Sequence, residues 1–96
     1  MNSISVMDLL DLNNPIVIDI RNSYYYSLNH ISGALSIPYY NLLNNYGHYL
    51  SKDKTYYIYC DYGEKSREVA NRLNEFGYRV FSLEGGFLEY KRITDR

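Results

Sequence analysis

Six consecutive residues, Thr55 to Cys60, read Thr-Tyr-Tyr-Ile-Tyr-Cys, an unbroken series of aromatic and β-branched side chains closed by a thiol. A run this short that shows no polar alternation is a strand covered on both faces, which is the environment of a parallel sheet with helices on either side. Ile16, Val17 and Ile18, closed by Asp19, repeat the pattern after the turn signal Asn13-Asn14-Pro15. Arg79 to Leu83 reads as a further strand.

Helical signals fill the intervals. Ser5 is placed to cap a short helical turn that carries Val6, Leu9 and Leu10 on one face. Ser23 to Leu28 reads as a brief helix, and His30 to Pro38 holds a small strand stopped by Pro38. Tyr39 to Leu50 reads as one irregular helix broken near Asn44, Asn45 and Gly47. After Asp61, Tyr62 and Gly63, the residues Val69, Ala70, Leu73 and Phe76 fall at helical spacing, with Gly77 as the C′ residue. Gly85 and Gly86 lead into a last short helix through Phe87, Leu88 and Tyr90, and the segment from Lys91 and Arg92 to Arg96 reads as a solvated, frayed end. This alternation predicts an α/β domain, 1–96, with a mostly parallel sheet joined by right-handed crossovers.

Composition narrows the function classes. With 46% hydrophobic and 22% charged residues among 96, the chain is globular rather than disordered. A net charge of −1 gives no electrostatic reason to expect nucleic acid or an anionic membrane as partner. The single cysteine, Cys60, excludes an internal disulfide framework and a thiolate metal cluster, so no metal is expected. Met1 to Leu12 carries Asp8 and Asp11 without a leading basic cluster, and no apolar run approaches the roughly 18 residues that span a bilayer. A cytoplasmic location is the expectation. Tyrosine is over-used at 13 residues, with no Trp and 3 Phe, and is expected to fill core and half-buried positions that other proteins give to Phe, Trp or Leu.

Cys60 closes a strand just before a helix. Ligands of open parallel sheets sit beyond the carboxyl ends of the strands, which is where this thiol falls. The amides of Asp61 to Ser66 can form a nest, and the following helix points its positive end at the same place; both features stabilise a thiolate. The alternative at this level is a buried Cys packed as a small hydrophobe.

Several separate motifs bear on that choice: Val17-Ile18-Asp19-Ile20-Arg21, Tyr26, His30-Ile31-Ser32-Gly33-Ala34, Ile37-Pro38, Tyr59-Cys60, Gly63, Ser66 and Leu83-Glu84-Gly85-Gly86. In this order they resemble a single-domain rhodanese, of the sulfurtransferase family, over nearly the whole chain. The resemblance implies an α/β fold with a mostly parallel central sheet of about five strands and helices on both faces. It implies that Cys60 takes a sulfane sulfur from thiosulfate or a persulfide and passes it to a thiol or other nucleophilic acceptor, without a cofactor. Small molecules and protein persulfides both suit those roles. Asp61, Tyr62, Gly63, Glu64, Lys65 and Ser66 would form the substrate-binding loop, with Asp19 and Arg21 behind it. The alternative is a non-catalytic rhodanese-like module that binds a partner or senses oxidants through Cys60.

Loop length separates reaction classes. Cys60 through Lys65 is six residues, as in the sulfurtransferase loop, whereas the related phosphatase loop is one residue longer and ends in Arg. Ser66 stands at that seventh position and Arg67 lies one residue too far along, so the bidentate clamp for a phosphate is missing. Lys65 stands where the family most often has Arg, and Asp61 with Glu64 adds two negative charges that oppose an anionic donor. Tyr25 replaces a common Glu and Asn29 a Gly, changes that concern the scaffold. Asp19 and Arg21 read first as an ion pair at a strand end, His30 as a residue that orients a loop, and His48 as a surface residue.

Overall fold

The structure is a computed structural model and describes residues 2–95. The described chain runs β1 (Ser3–Ile4), α1 (Val6–Asp11), β2 (Ile16–Asp19), α2 (Ser23–Leu28), β3 (Leu35–Ser36), α3 (Tyr39–Asn44), α4 (Tyr46–Tyr49), β4 (Thr55–Tyr59), α5 (Glu64–Glu75), β5 (Arg79–Leu83) and α6 (Gly86–Thr94). The strands form one sheet in the order β1-β5-β4-β2-β3, and every pairing is parallel. The uninterrupted strand β4 is central, flanked by β2 and β5, as its two-faced apolar character requires.

Alternation along the strands sends side chains into two cores. Ile18, Ile58 and Val80 face α5 and the α3–α4 segment, where they pack with Leu42, Val69 and Leu73. Val17, Tyr59 and Leu83 face the opposite way, against Val6 and Leu9 of α1 and against Phe87, Tyr90 and Ile93 of α6. The helices therefore lie on both faces, as the alternation predicts.

Local signals set the helix ends. Ser5 accepts a hydrogen bond from the Asp8 amide and so caps α1. The break in the Tyr39 to Leu50 segment falls at Asn45, whose φ of −141° interrupts helical geometry between α3 and α4. Leu10 departs from expectation: it is exposed, because Val6 and Leu9 alone face the sheet. Phe76 is also largely exposed and closes α5 by stacking on Tyr46, with ring centroids 4.8 Å apart. The expected frayed end is instead helical to Thr94, since Glu89–Arg92 and Lys91–Asp95 pair along the helix while Tyr90 and Ile93 pack inward. Of the tyrosines, Tyr56, Tyr59 and Tyr78 are buried, whereas Tyr24, Tyr25, Tyr40, Tyr49 and Tyr62 are exposed. No helix among the described residues is long and apolar enough to cross a membrane.

Candidate active site

Cys60 follows β4 directly, and its side chain turns toward the α5 face of the sheet. Gly63, at φ 102°, reverses the chain in the left-handed region and becomes the N-cap of α5. A glycine cap offers no side chain to the first amides of the helix, and the Cys60 sulfur takes that place. Gly63 N donates to Sγ at 3.2 Å and Ser66 N at 3.3 Å. Two N–H groups are thus oriented at the sulfur, at the N-terminal end of the 12-residue helix α5.

Ser66 is fully buried and completes the cradle. The Cys60 thiol donates to Ser66 Oγ at 3.5 Å, Ser66 Oγ donates to the Gly63 carbonyl at 3.3 Å, and Ser66 and Ser82 share a hydrogen bond of 2.7 Å. Ser82 arrives from β5 and is itself buried. Nothing in its local sequence marks it, because its link to the site depends on the parallel register of β5 beside β4, in which Ile58 pairs with Ser82.

The loop backbone is fixed by the start of α6. Phe87 N donates to the Cys60 carbonyl at 2.8 Å and Leu88 N to the Asp61 carbonyl at 3.0 Å. These loop carbonyls satisfy amides of α6 that lack partners within the helix. The close approach requires Gly86: a Cβ there would stand 2.6 Å from the Cys60 carbonyl oxygen and 2.7 Å from the Asp61 carbonyl. The Gly85-Gly86 pair is thus more than a tight turn, since it also lets two segments touch.

Asp19 and Arg21 form a second cluster behind the loop. Asp19 accepts from the Arg21 backbone amide at 2.9 Å, from Arg21 Nη2 at 2.8 Å and from the Tyr59 hydroxyl at 2.6 Å. Tyr59 in turn accepts from the Ile31 amide at 3.1 Å. Burial, followed by the bond to Asp19, pushes the Tyr59 phenol well above its ordinary range. Burial opposes the charge on Arg21, yet the hydrogen bonds and charge of Asp19 hold its pKa above the usual value. The guanidinium lies over Phe87 at 4.2 Å and reaches toward Asp61, with Nη1 to Oδ1 at 3.7 Å. His30 lies outside this cluster; its ring stacks on Tyr26 and a ring N–H donates to the Tyr26 carbonyl at 2.8 Å, orienting the loop. His48 is exposed.

A cavity of about 650 Å³ opens over Cys60. Of the loop residues, Gly63 and Ser66 face inward to the sulfur, while Asp61, Tyr62, Glu64 and Lys65 line the cavity. The Lys65 ammonium lies over the Tyr39 ring, 4.5 Å from its centroid. Arg67 is exposed, and Ser66 occupies the position where a phosphate clamp would be needed. The structure brings Cys60 and the loop Asp61 to Ser66 together, with Asp19 and Arg21 behind them; Ser82, the Tyr59 hydroxyl and the lining by Tyr25, Tyr39 and Tyr40 were not singled out from the sequence.

The chain is similar to known proteins. A family model described as a rhodanese-like domain matches residues 4–93. The protein named thiosulfate sulfurtransferase GlpE from Coxiella burnetii is 30% identical over 92 residues, covering 95% of this chain and 85% of that protein. The tRNA uridine(34) hydroxylase of Salmonella newport is 28% identical over 102 residues, a stretch that is 28% of its length. Among solved structures, a protein from Staphylococcus saprophyticus matches with a TM-score of 0.85 at 32% identity, covering 94% of this chain and 93% of that one. A rhodanese-related protein from Thermoplasma volcanium shares the fold with a TM-score of 0.89.

Proposed function

The chain belongs to the rhodanese-like domain family, and on that footing we propose that it is a sulfurtransferase in which Cys60 carries the moving sulfur as a persulfide. The observation that carries this reading is the pair of amides, Gly63 and Ser66, directed at one sulfur atom at the floor of an open cavity.

In the first step the Cys60 thiolate attacks the sulfane sulfur of a donor. The donor's S–S bond breaks, its electron pair leaves on sulfite when the donor is thiosulfate or on a thiolate when it is a persulfide, and a new S–S bond joins Sγ to the transferred atom. In the second step an acceptor thiolate attacks the outer sulfur, and the pair released by the broken bond returns to Sγ. Charge and electron count balance in both steps, so the cycle needs neither a cofactor nor an external reductant. The loop amides act on the sulfur anion present before the first step and regenerated after the second. A thiosulfate sulfurtransferase among the relatives supports a small-molecule donor and a thiol acceptor. The 96 residues are read as one domain acting in the cytoplasm, and the site as Cys60 with the loop Asp61 to Ser66.

Intact-protein mass spectrometry after exposure to thiosulfate, or to a low-molecular-weight persulfide, tests this. Wild type is expected to gain one sulfur atom and Cys60→Ser none. A gain that persists in Cys60→Ser, or no gain in wild type with either donor, would overturn the proposal.

A further inference from the structure

We propose that the rim of the Cys60 cavity is a docking surface for a basic, cysteine-bearing peptide segment of another protein, whose persulfide is the preferred sulfur donor. This rests on the sulfurtransferase reading and names the donor class.

Size and lining come first. A cavity of about 650 Å³ suits an organic ligand of many atoms, whereas thiosulfate has five heavy atoms and would leave most of it unfilled. Much of the wall is aromatic, with Tyr25 from α2, Tyr39 and Tyr40 from α3, and Tyr62 from the loop. Tyr25, Tyr40 and Tyr62 are 53%, 72% and 68% exposed. Exposed tyrosines around an opening are typical of surfaces that bind polypeptides, because a rigid ring buries large area at small entropic cost and keeps a hydroxyl for hydrogen bonding. The aromatic surface also extends past the cavity: Tyr24, 62% exposed, packs edge-on against Tyr25 at 5.4 Å. A ligand confined to the cavity would not use it, but a peptide running across the mouth would.

Charge then selects among peptides. Three carboxylates, Asp61, Glu64 and Glu68, line the rim against two cations, Arg21 and Lys65. Arg21 is already engaged by Asp19 and faces Asp61, and Lys65 rests on the Tyr39 ring, whose hydroxyl donates to Glu68 at 3.4 Å. Arg21 is held by carboxylates and the Lys65 ammonium lies on an aromatic ring, so carboxylates exceed cations at the rim. Arg72, four residues beyond Glu68 on α5, does not line the cavity. Glu64 and Glu68 lie four residues apart on the same exposed stripe of α5, so a basic segment meets both. In the transfer, the Cys60 thiolate attacks the outer sulfur of the peptide's Cys–S–SH; the peptide S–S bond breaks, its electron pair leaves on the peptide thiolate, and the proton stays with the transferred sulfur.

The test compares rates of Cys60 loading by thiosulfate and by two peptide persulfides that differ only in Lys or Glu on either side of the cysteine. The Lys peptide is expected to load at least about tenfold faster than the Glu peptide at low salt, with the gap closing as salt rises. Glu64→Gln with Glu68→Gln should close it without salt. Tyr25→Ala with Tyr40→Ala should lower the ratio of Lys-peptide rate to thiosulfate rate by about tenfold. Because that ratio is read within one protein, a partly unfolded variant lowers both rates and leaves it unchanged. Equal rates for the two peptides, or a ratio unaffected by loss of the rings, overturns the docking surface while thiosulfate loading keeps the sulfurtransferase reading intact. Failure of every donor to load Cys60 overturns both.

Discussion

Tyr59 and Cys60 are neighbours in the chain, yet they end in opposite kinds of polar environment. Tyr59 points into the core shared with α1 and α6, where its hydroxyl is locked between Asp19 and the Ile31 amide. Cys60 turns to the other face, where its sulfur accepts from two amides and opens on a cavity. In the first cluster buried side chains and two backbone amides saturate one another; in the second, two amides and the Ser66 hydroxyl meet one sulfur from the protein side, and a cavity opens over it. A saturated, buried network specifies structure, whereas a sulfur held only from behind can still react. The two clusters meet through Arg21, which is bound to Asp19 and reaches toward Asp61 of the loop.

Asp19→Asn should produce the largest loss of stability. Asparagine keeps the shape but removes the charge that holds Arg21, whose side chain is 6% exposed, and its amide nitrogen faces other donors. Removing one member of a buried pair costs about 3–5 kcal/mol, and Asp61 at 3.7 Å pulls the expected value toward the lower end. Cys60→Ser should change stability by no more than about 1 kcal/mol, since a hydroxyl can accept from the same amides. Urea denaturation of both variants checks the contrast. Equal losses would mean that the sulfur cradle is as structural as the ion pair.

Tyr59→Phe comes next. It leaves the Ile31 amide without its acceptor and Asp19 without one donor, for an expected loss of about 1–3 kcal/mol at pH 7. Its pH dependence has a definite sign. Burial and then Asp19 raise the Tyr59 phenol, so above about pH 10 the unfolded chain releases a proton that the folded chain retains. Stability contributed by Tyr59 is therefore full below that pH and falls by about 1.4 kcal/mol per unit above it. The gap between wild type and Tyr59→Phe should shrink from pH 10 upward. Denaturation midpoints of the two proteins between pH 7 and 11 would show it, and a gap that stays constant would mean the folded phenol titrates like a free one.

The same contrast explains what could be read from sequence. Strands β2 and β4 were legible because continuous apolar character is a local signal, and Cys60, Gly63 and Ser66 were legible together because the thiol, the turn and the helix start lie within one loop. Asp19 and Arg21 were recognisable as a pair because they sit two residues apart. Tyr59 and Ser82 act through residues 40 and 16 positions away, and such contacts are created only when the strands take their register. The extent of α6 was missed for a different reason. Its charged residues looked like a solvated tail, while Phe87, Tyr90 and Ile93 form a stripe whose partner, α1, lies at the other end of the chain.

Ser82→Ala has a smaller expected effect than loss of Asp19 or of the Tyr59 hydroxyl and probes the cradle from its far side. The Ser82 hydroxyl contacts the site only through Ser66, at 2.7 Å, and Ser66 in turn meets the Cys60 sulfur and the Gly63 carbonyl. With Ser82 present, Ser66 has two oxygens nearby and one thiol, so its hydroxyl is held in a defined orientation. Without Ser82 it keeps only its local contacts. Loss of one buried, neutral hydrogen bond should cost about 0.5–1.5 kcal/mol of stability and slow Cys60 loading by a few-fold at most. A positioning role makes a further demand: once Ser66 is replaced by Ala, removing Ser82 as well should have almost no added effect on the loading rate. Rates for Ser66→Ala, Ser82→Ala and the double variant form the cycle that measures this. Strictly multiplicative losses would show that Ser82 acts independently of Ser66, and the hydroxyl pair would then belong with the structural cluster rather than with the sulfur cradle.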